Sequence, residues 1–332
     1  MQEAMLWHRE RNGVRCDLCH ANCFIAKDKL GLCQVRKNVN NKLYTLNYEK
    51  VVDVSEEWIE KKFLFHFLPK TKSLSVSTLG CDLNEHFCID DFVLTNLQAK
   101  KLSPEDVVEM AEKRKCSSIA YSFTDPTISF EFAFKIAKYA YRSNLKNVFV
   151  TNGYLSEEAV KKIAKYLDAA SVRLRASGSK EFMKRYSLIP EISPIISTLK
   201  QMKKHRVFFE IANTIIPQIG DDVEECRKLA EIINTEFGSE VPFHLLQFYP
   251  NPKFSGLPMT PVSLLERCAD VARSAGLRFV YISNVPKHPD QNTYCYNCRE
   301  PLIVRENLVV KKVNLTEGRC PNCGLKINIV LK

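Results

Sequence analysis

Between about Lys72 and Val285 the chain alternates short apolar runs with longer stretches whose apolar residues recur at helical spacing. The apolar runs predict strands at Ser73–Leu79, Ser117–Phe123, Asn147–Thr151, Ala169–Arg175, Val207–Ile211, Phe243–Phe248 and Phe279–Ile282. Helix starts are readable between them. Ser103-Pro104-Glu105-Asp106 offers a capping hydroxyl, proline in the first turn and acids facing the helix dipole. Ser156-Glu157-Glu158 repeats that device, and Thr260-Pro261 resembles it. Strands alternating with helices predict a parallel sheet with right-handed crossovers. The expected fold class is therefore α/β, a partial (β/α) barrel over residues 72–285.

The pattern breaks on both sides of this region. Residues 1–45 are polar and cysteine-rich, with too few apolar positions for an independent core, and 46–71 read as a connecting segment. In residues 286–332, two cysteine pairs flank the alternating apolar runs Leu302–Val304 and Leu308–Val313. No apolar run reaches the length of a membrane span, and Met1 to Arg15 lacks the apolar segment of a signal peptide. A soluble, cytoplasmic protein with no membrane partner is expected.

The 13 cysteines among 332 residues stand at metal-ligand spacings, which favours metal over disulfides. Cys295-x-x-Cys298 and Cys320-x-x-Cys323 place two thiolates on each of two tight turns, the pattern of a zinc ribbon. Cys16, Cys19, Cys23 and Cys33 form a second four-thiolate set for zinc or an iron–sulfur cluster, with zinc favoured on base rate. His20 lies between these ligands and reads as a surface histidine. Cys116, Cys226 and Cys268 have no partner at ligand spacing and read as small buried apolar residues. The formal net charge is +10. Two four-thiolate sites around divalent ions would lower it to roughly +6. The basic residues are dispersed, so a nucleic-acid groove is not expected.

The segment Cys81-x-x-x-Glu85-x-x-Cys88 resembles the cluster loop of radical S-adenosylmethionine (radical SAM) enzymes, with Glu85 in place of the middle cysteine. Cys16 to Arg36, Glu60 to Pro69, Lys146 to Tyr154, Asn284-Val285-Pro286 and Asn292 to Cys295 extend the likeness over most of the chain. In these stretches it resembles the radical SAM component of the AmmeMemoRadiSam system, a relative of pyruvate formate-lyase-activating enzymes. That resemblance implies a 4Fe-4S cluster at Cys81, Glu85 and Cys88, with Phe87 against the adenine of S-adenosylmethionine. It implies Asp125 at the methionine amine, Asn152 and Arg175 lining the cofactor pocket, and Memo-type and AMMECR-type proteins as partners.

The departures from that pattern concentrate at functional positions. A carboxylate is a harder ligand than a thiolate, so Glu85 weakens the case for an ordinary cluster. Asp125 stands where the pattern has glutamate, and Arg173-Leu174-Arg175-Ala176 replaces Asp-Leu-Lys-Ala. Ile89-Asp90 and the Pro217 to Asp221 turn differ as well. Two functions follow as expectations. One is a zinc-containing scaffold or regulatory pseudoenzyme, in which no residue is assigned as catalytic. The other is an active enzyme that cleaves S-adenosylmethionine to a 5′-deoxyadenosyl radical with a non-cysteine third ligand.

Overall fold

The computed structural model describes residues 1–80, 98–187 and 189–332. The expected cluster-loop residues Cys81, Glu85, Phe87 and Cys88 lie outside the described residues. The chain forms two compact units. The first comprises residues 1–57, 72–170 and 183–208, and the second 58–71, 171–182 and 209–332.

The first unit opens with six short strands, β1 (Gln2–Glu3), β2 (Trp7–Glu10), β3 (Gly13–Cys16), β4 (Phe24–Ala26), β5 (Arg36–Val39) and β6 (Lys42–Thr45). They make two three-stranded antiparallel sheets, ordered β1-β6-β5 and β2-β3-β4. Strand β7 (Lys50–Trp58) lies within the expected connecting segment and precedes β8 (Lys72–Thr78). Strand β9 (Lys100–Lys101), helix α1 (Pro104–Lys113), β10 (Ser118–Tyr121), α2 (Phe130–Arg142), β11 (Lys146–Thr151) and α3 (Glu157–Ile163) follow. Strand β10 pairs in parallel with both β8 and β11, while β9 pairs antiparallel with β7.

The sequence signals explain these elements. Ser103 caps α1 in a full capping box: its hydroxyl accepts from the Asp106 amide, and Asp106 accepts from the Ser103 amide at 2.8 Å. Ser156 caps α3 by accepting from the Ala159 amide. Along α2, Ala133, Ile136, Ala137 and Ala140 recur at helical spacing and are fully buried.

Strand β12 (Ala169–Arg175) carries the chain into the second unit, at the bounds that its apolar run predicted. Helix α4 (Lys180–Tyr186) leads back to the first unit, which contains α5 (Ser193–Lys204); the second unit resumes with β13 (Phe208–Ile215), α6 (Val223–Phe237), β14 (Phe243–Gln247), α7 (Val262–Ser274) and β15 (Val280–Ile282). Strand β14 pairs in parallel with both β13 and β15. Thr260 does not cap α7: its hydroxyl accepts from the Phe248 amide and donates to the Ile215 carbonyl, joining strand ends instead. The expected α/β fold with parallel strands is thus present.

The chain ends in the antiparallel strands β16 (Thr293–Tyr294), β17 (Pro301–Glu306) and β18 (Val309–Val313). Their core joins Leu302, Ile303 and Val310 with Phe65, Phe279, Cys295 and Cys320. Cys116, Cys226 and Cys268 are buried, as small apolar residues are. Among the described residues no helix is long and apolar enough to cross a membrane.

Candidate metal centres and the strand-end carboxylate

The carboxy-terminal cysteines form two knuckles with one shared backbone plan. The Cys295 carbonyl accepts from the Arg299 amide and the Cys320 carbonyl from the Gly324 amide, both at 2.9 Å. The Cys295 and Cys320 amides in turn donate to the carbonyls of Glu300 and Leu325, both at 2.8 Å. Arg299 and Gly324 hold equivalent left-handed conformations, φ 63° and 72°. The turns bring Cys295 within 3.6 Å of Cys323 and Cys298 within 3.5 Å of Cys320, sulfur to sulfur. All four sulfurs lie within 4.8 Å of one another. A tetrahedral ion with Zn–S bonds of ~2.3 Å separates its thiolates by roughly 3.8 Å, so a single ion fits this set. Burial pushes the Cys295 thiol up to about 11, whereas the Leu325 amide draws the exposed Cys323 thiol down to about 6.

The amino-terminal set is built differently. Cys16 ends β3 and its amide donates to the Cys23 carbonyl at 2.9 Å, closing a loop that carries Cys19. Cys33 sits in the turn before β5, where the Gln34 amide donates to Gly31 at 2.9 Å. All four cysteines line one cavity of about 290 Å³, together with Leu18, Ile25 and Arg36. Among the described residues, however, the carboxy-terminal set is the one group of three or more ligands gathered within 4.8 Å. Arg36 is 1 % exposed. Its guanidinium donates to the Cys16 sulfur at 3.5 Å, the Met5 carbonyl at 3.0 Å and Glu131 at 2.5 Å. Burial disfavours its charge, but Glu131 together with Cys16 and Cys33 holds its pKa above the usual value. His20 is half-buried rather than on the surface, against Tyr154 at 5.5 Å between rings and Thr198 at 3.3 Å. Burial lowers its pKa.

Asp125 and Asn152 meet near the ends of β10 and β11. One carboxylate oxygen of Asp125 accepts from the amide and hydroxyl of Thr127 at 2.8 and 2.6 Å. The other accepts from the Thr151 hydroxyl at 2.9 Å and the Asn152 amide at 2.7 Å. Desolvation raises the Asp125 pKa, and these four hydrogen bonds work against the rise. The side-chain oxygen of Asn152 accepts from the Tyr154 amide at 2.9 Å, shaping the turn after β11. Arg175 ends β12 and is half-buried; Arg173 places its guanidinium 4.8 Å from the centre of the Phe63 ring. Phe63, Arg173 and Arg175 belong to the second unit, Asp125 and Asn152 to the first.

The second unit also contains a buried polar network that the apolar patterns did not reveal. Glu210, in the interior of β13, accepts from the Phe65 and His66 amides at 3.0 and 2.7 Å and from His244 at 2.8 Å. His66 Nδ1 meets the Asn328 carbonyl at 2.9 Å and must donate there, so its Nε2 accepts from Tyr281 at 2.6 Å. Arg305 donates to Thr293 at 2.8 Å and to the Phe65 carbonyl at 2.7 Å. Burial lowers the His66 pKa to about 4. Burial works to raise that of Glu210, but His244, His66 and the Phe65 amide together hold it below its usual value. The available signal was a charged or titratable residue inside each of two otherwise apolar strands.

The radical SAM superfamily profile matches residues 75–233. An uncharacterized protein of Methanocaldococcus jannaschii is 35 % identical over 338 residues, covering all of both chains. A radical SAM methyltransferase from Sphaerobacter thermophilus has a similar fold, with TM-score 0.53, 15 % identity, and coverage of 70 % of this chain and 71 % of that one. A domain of a pyruvate-formate lyase-activating enzyme from Bacteroides vulgatus gives 0.44 and 14 % over 50 % of this chain and 98 % of its own. With the parallel βα units in place, the full-length relative and the superfamily match establish the family: this chain belongs to the radical SAM superfamily, in one family with the Methanocaldococcus protein.

Proposed function

We propose that this protein is a scaffold or regulatory pseudoenzyme of AmmeMemoRadiSam type, a radical SAM framework that carries cysteine metal centres and acts on Memo-type and AMMECR-type proteins. The superfamily implies a 4Fe-4S cluster and S-adenosylmethionine, and the resemblance implies a carboxylate at position 125 for the methionine amine. Asp125 does not fit that role. A carboxylate has about four lone-pair sites, and this one already accepts four hydrogen bonds from its own unit. An ammonium could bind there only by displacing a donor, which would itself be left unpaired. This saturation is the single observation that carries the proposal, with Glu85 in the cluster loop as its counterpart in sequence. The compact carboxy-terminal set supports zinc as the structural metal of the ribbon.

The competing reading is an active enzyme that cleaves S-adenosylmethionine at a four-iron cluster with a non-cysteine third ligand. It draws on the superfamily match across residues 75–233. One assay separates the two. The anaerobically reconstituted full chain is incubated with dithionite and S-adenosylmethionine, and 5′-deoxyadenosine is quantified. The pseudoenzyme reading expects none above a protein-free control; enzyme-dependent 5′-deoxyadenosine overturns it.

A further inference from the structure

The geometry points to a polynuclear iron–sulfur cluster, rather than a single metal ion, at Cys16, Cys19, Cys23 and Cys33. This inference stands whether or not the protein cleaves S-adenosylmethionine.

The chain contains its own standard of comparison. Its carboxy-terminal thiols are gathered to 3.5 and 3.6 Å, the spacing that one tetrahedral ion imposes. The amino-terminal thiols come from an equally well-formed fold, with Cys16 on β3 and Cys33 in the turn before β5. Yet no three of them lie within 4.8 Å of one another. They line, among other residues, a cavity of about 290 Å³. A lone ion with metal–sulfur bonds of ~2.3 Å gathers its thiolates to roughly 3.8 Å, a gathering that this set does not show. In a polynuclear cluster the thiolates bind different iron atoms, and iron–sulfide bonds fill the intervening space.

The lining has the character such a cluster needs. Leu18, Ile25 and Tyr154 supply apolar walls that limit solvent access, and all three are at most 7 % exposed. Arg36, buried and fixed by Glu131, directs an N–H at the Cys16 sulfur from 3.5 Å. Hydrogen bonds to sulfur are among the levers by which a protein sets cluster properties, and the buried guanidinium opposes the negative charge of four thiolates.

The test uses the full chain, purified and reconstituted anaerobically with iron and sulfide. A Cys81→Ala/Cys88→Ala double variant removes both thiols of the degenerate loop without touching the amino-terminal site. It is expected to retain iron and acid-labile sulfide in equal amounts, at least two of each per chain, with zinc at one per chain. Absence of sulfide, iron without sulfide, or zinc at two per chain would each overturn the inference. Adding Cys19→Ser/Cys23→Ser to that double variant is expected to abolish all labile sulfide, and retention would also overturn the inference. Because the first variant keeps all four amino-terminal cysteines, misfolding of the second does not remove the test. The 5′-deoxyadenosine assay reads the function proposal separately, so either idea can fail alone.

Discussion

The Asn152 amide donates to Asp125 at 2.7 Å, tying the turn after β11 to the segment that follows β10. Three more donors complete the carboxylate's shell, so Asp125 fastens neighbouring strand ends together. Asp125→Ala should cost about 1–3 kcal/mol of unfolding free energy, because partly buried donors lose their acceptor. Urea denaturation of the two proteins checks this. A cost near zero would mean that solvent replaces the carboxylate and would weaken its structural role. Asp125→Glu, which supplies the residue of the AmmeMemoRadiSam pattern, should leave S-adenosylmethionine cleavage absent while Glu85 remains.

The second unit should lose stability on mild acidification. His66 has its pKa lowered to about 4 from 6.5, with burial as the main cause. The unfolded chain therefore takes up a proton before the folded one does. Its contribution is fully present above pH 6.5 and is lost as pH falls toward 4, by roughly 3 kcal/mol over the whole window. His244 and Glu210 are lowered too and act in the same direction, Glu210 at lower pH. Urea midpoints measured at pH 7.5 and pH 5 should fall with acid; an unchanged midpoint would contradict the neutral assignment of His66. Tyr281→Phe removes the donor to His66 and should cost about 1–3 kcal/mol at pH 7.5.

Gly80 immediately precedes the cluster-loop cysteine and adopts φ 118°, a conformation rarely accessible to other residues. An added Cβ would stand 2.7 Å from Val35 and 2.9 Å from Ile128. Gly80→Ala should therefore destabilise the first unit by more than about 1 kcal/mol. Thermal unfolding reads the shift, and an unchanged transition would show that this backbone adjusts freely.

The two cysteine knuckles share a plan but not a residue at the left-handed position, Arg299 in one and Gly324 in the other. Gly324→Val should speed metal loss to a chelator, because a β-branched residue is strained there. Arg299→Gly should slow it or leave it unchanged. Stripping the ion should also disorder the core that Cys295 and Cys320 share with Leu302, Ile303 and Val310. Loss of amide protection in β17 and β18 after chelation, followed by hydrogen exchange, would reveal that coupling. Full retention of protection would show a ribbon that folds without metal.

Much of the architecture is legible from the chain alone. The apolar runs predict β12 at its observed bounds, and Ser103 and Ser156 cap the helices their positions indicate. The x-x spacing inside each cysteine pair fixes a tight turn, so the carboxy-terminal tetrad needs only strand pairing to close. Periodicity, capping and knuckle spacing are local properties, set within a few residues of one another. What only the tertiary structure decided is how distant groups share space. Thr260 resembles a cap in sequence, yet strand ends 12 and 45 residues away claim its hydroxyl. The resemblance implies a cofactor role for Asp125, and only the fold shows that donors 26 and 27 residues later reach its carboxylate. Likewise, spacing alone cannot separate a single ion from a cluster at Cys16, Cys19, Cys23 and Cys33. The distances between those sulfurs depend on how β3, β5 and their turns pack around the cavity, and sequence intervals do not carry that information.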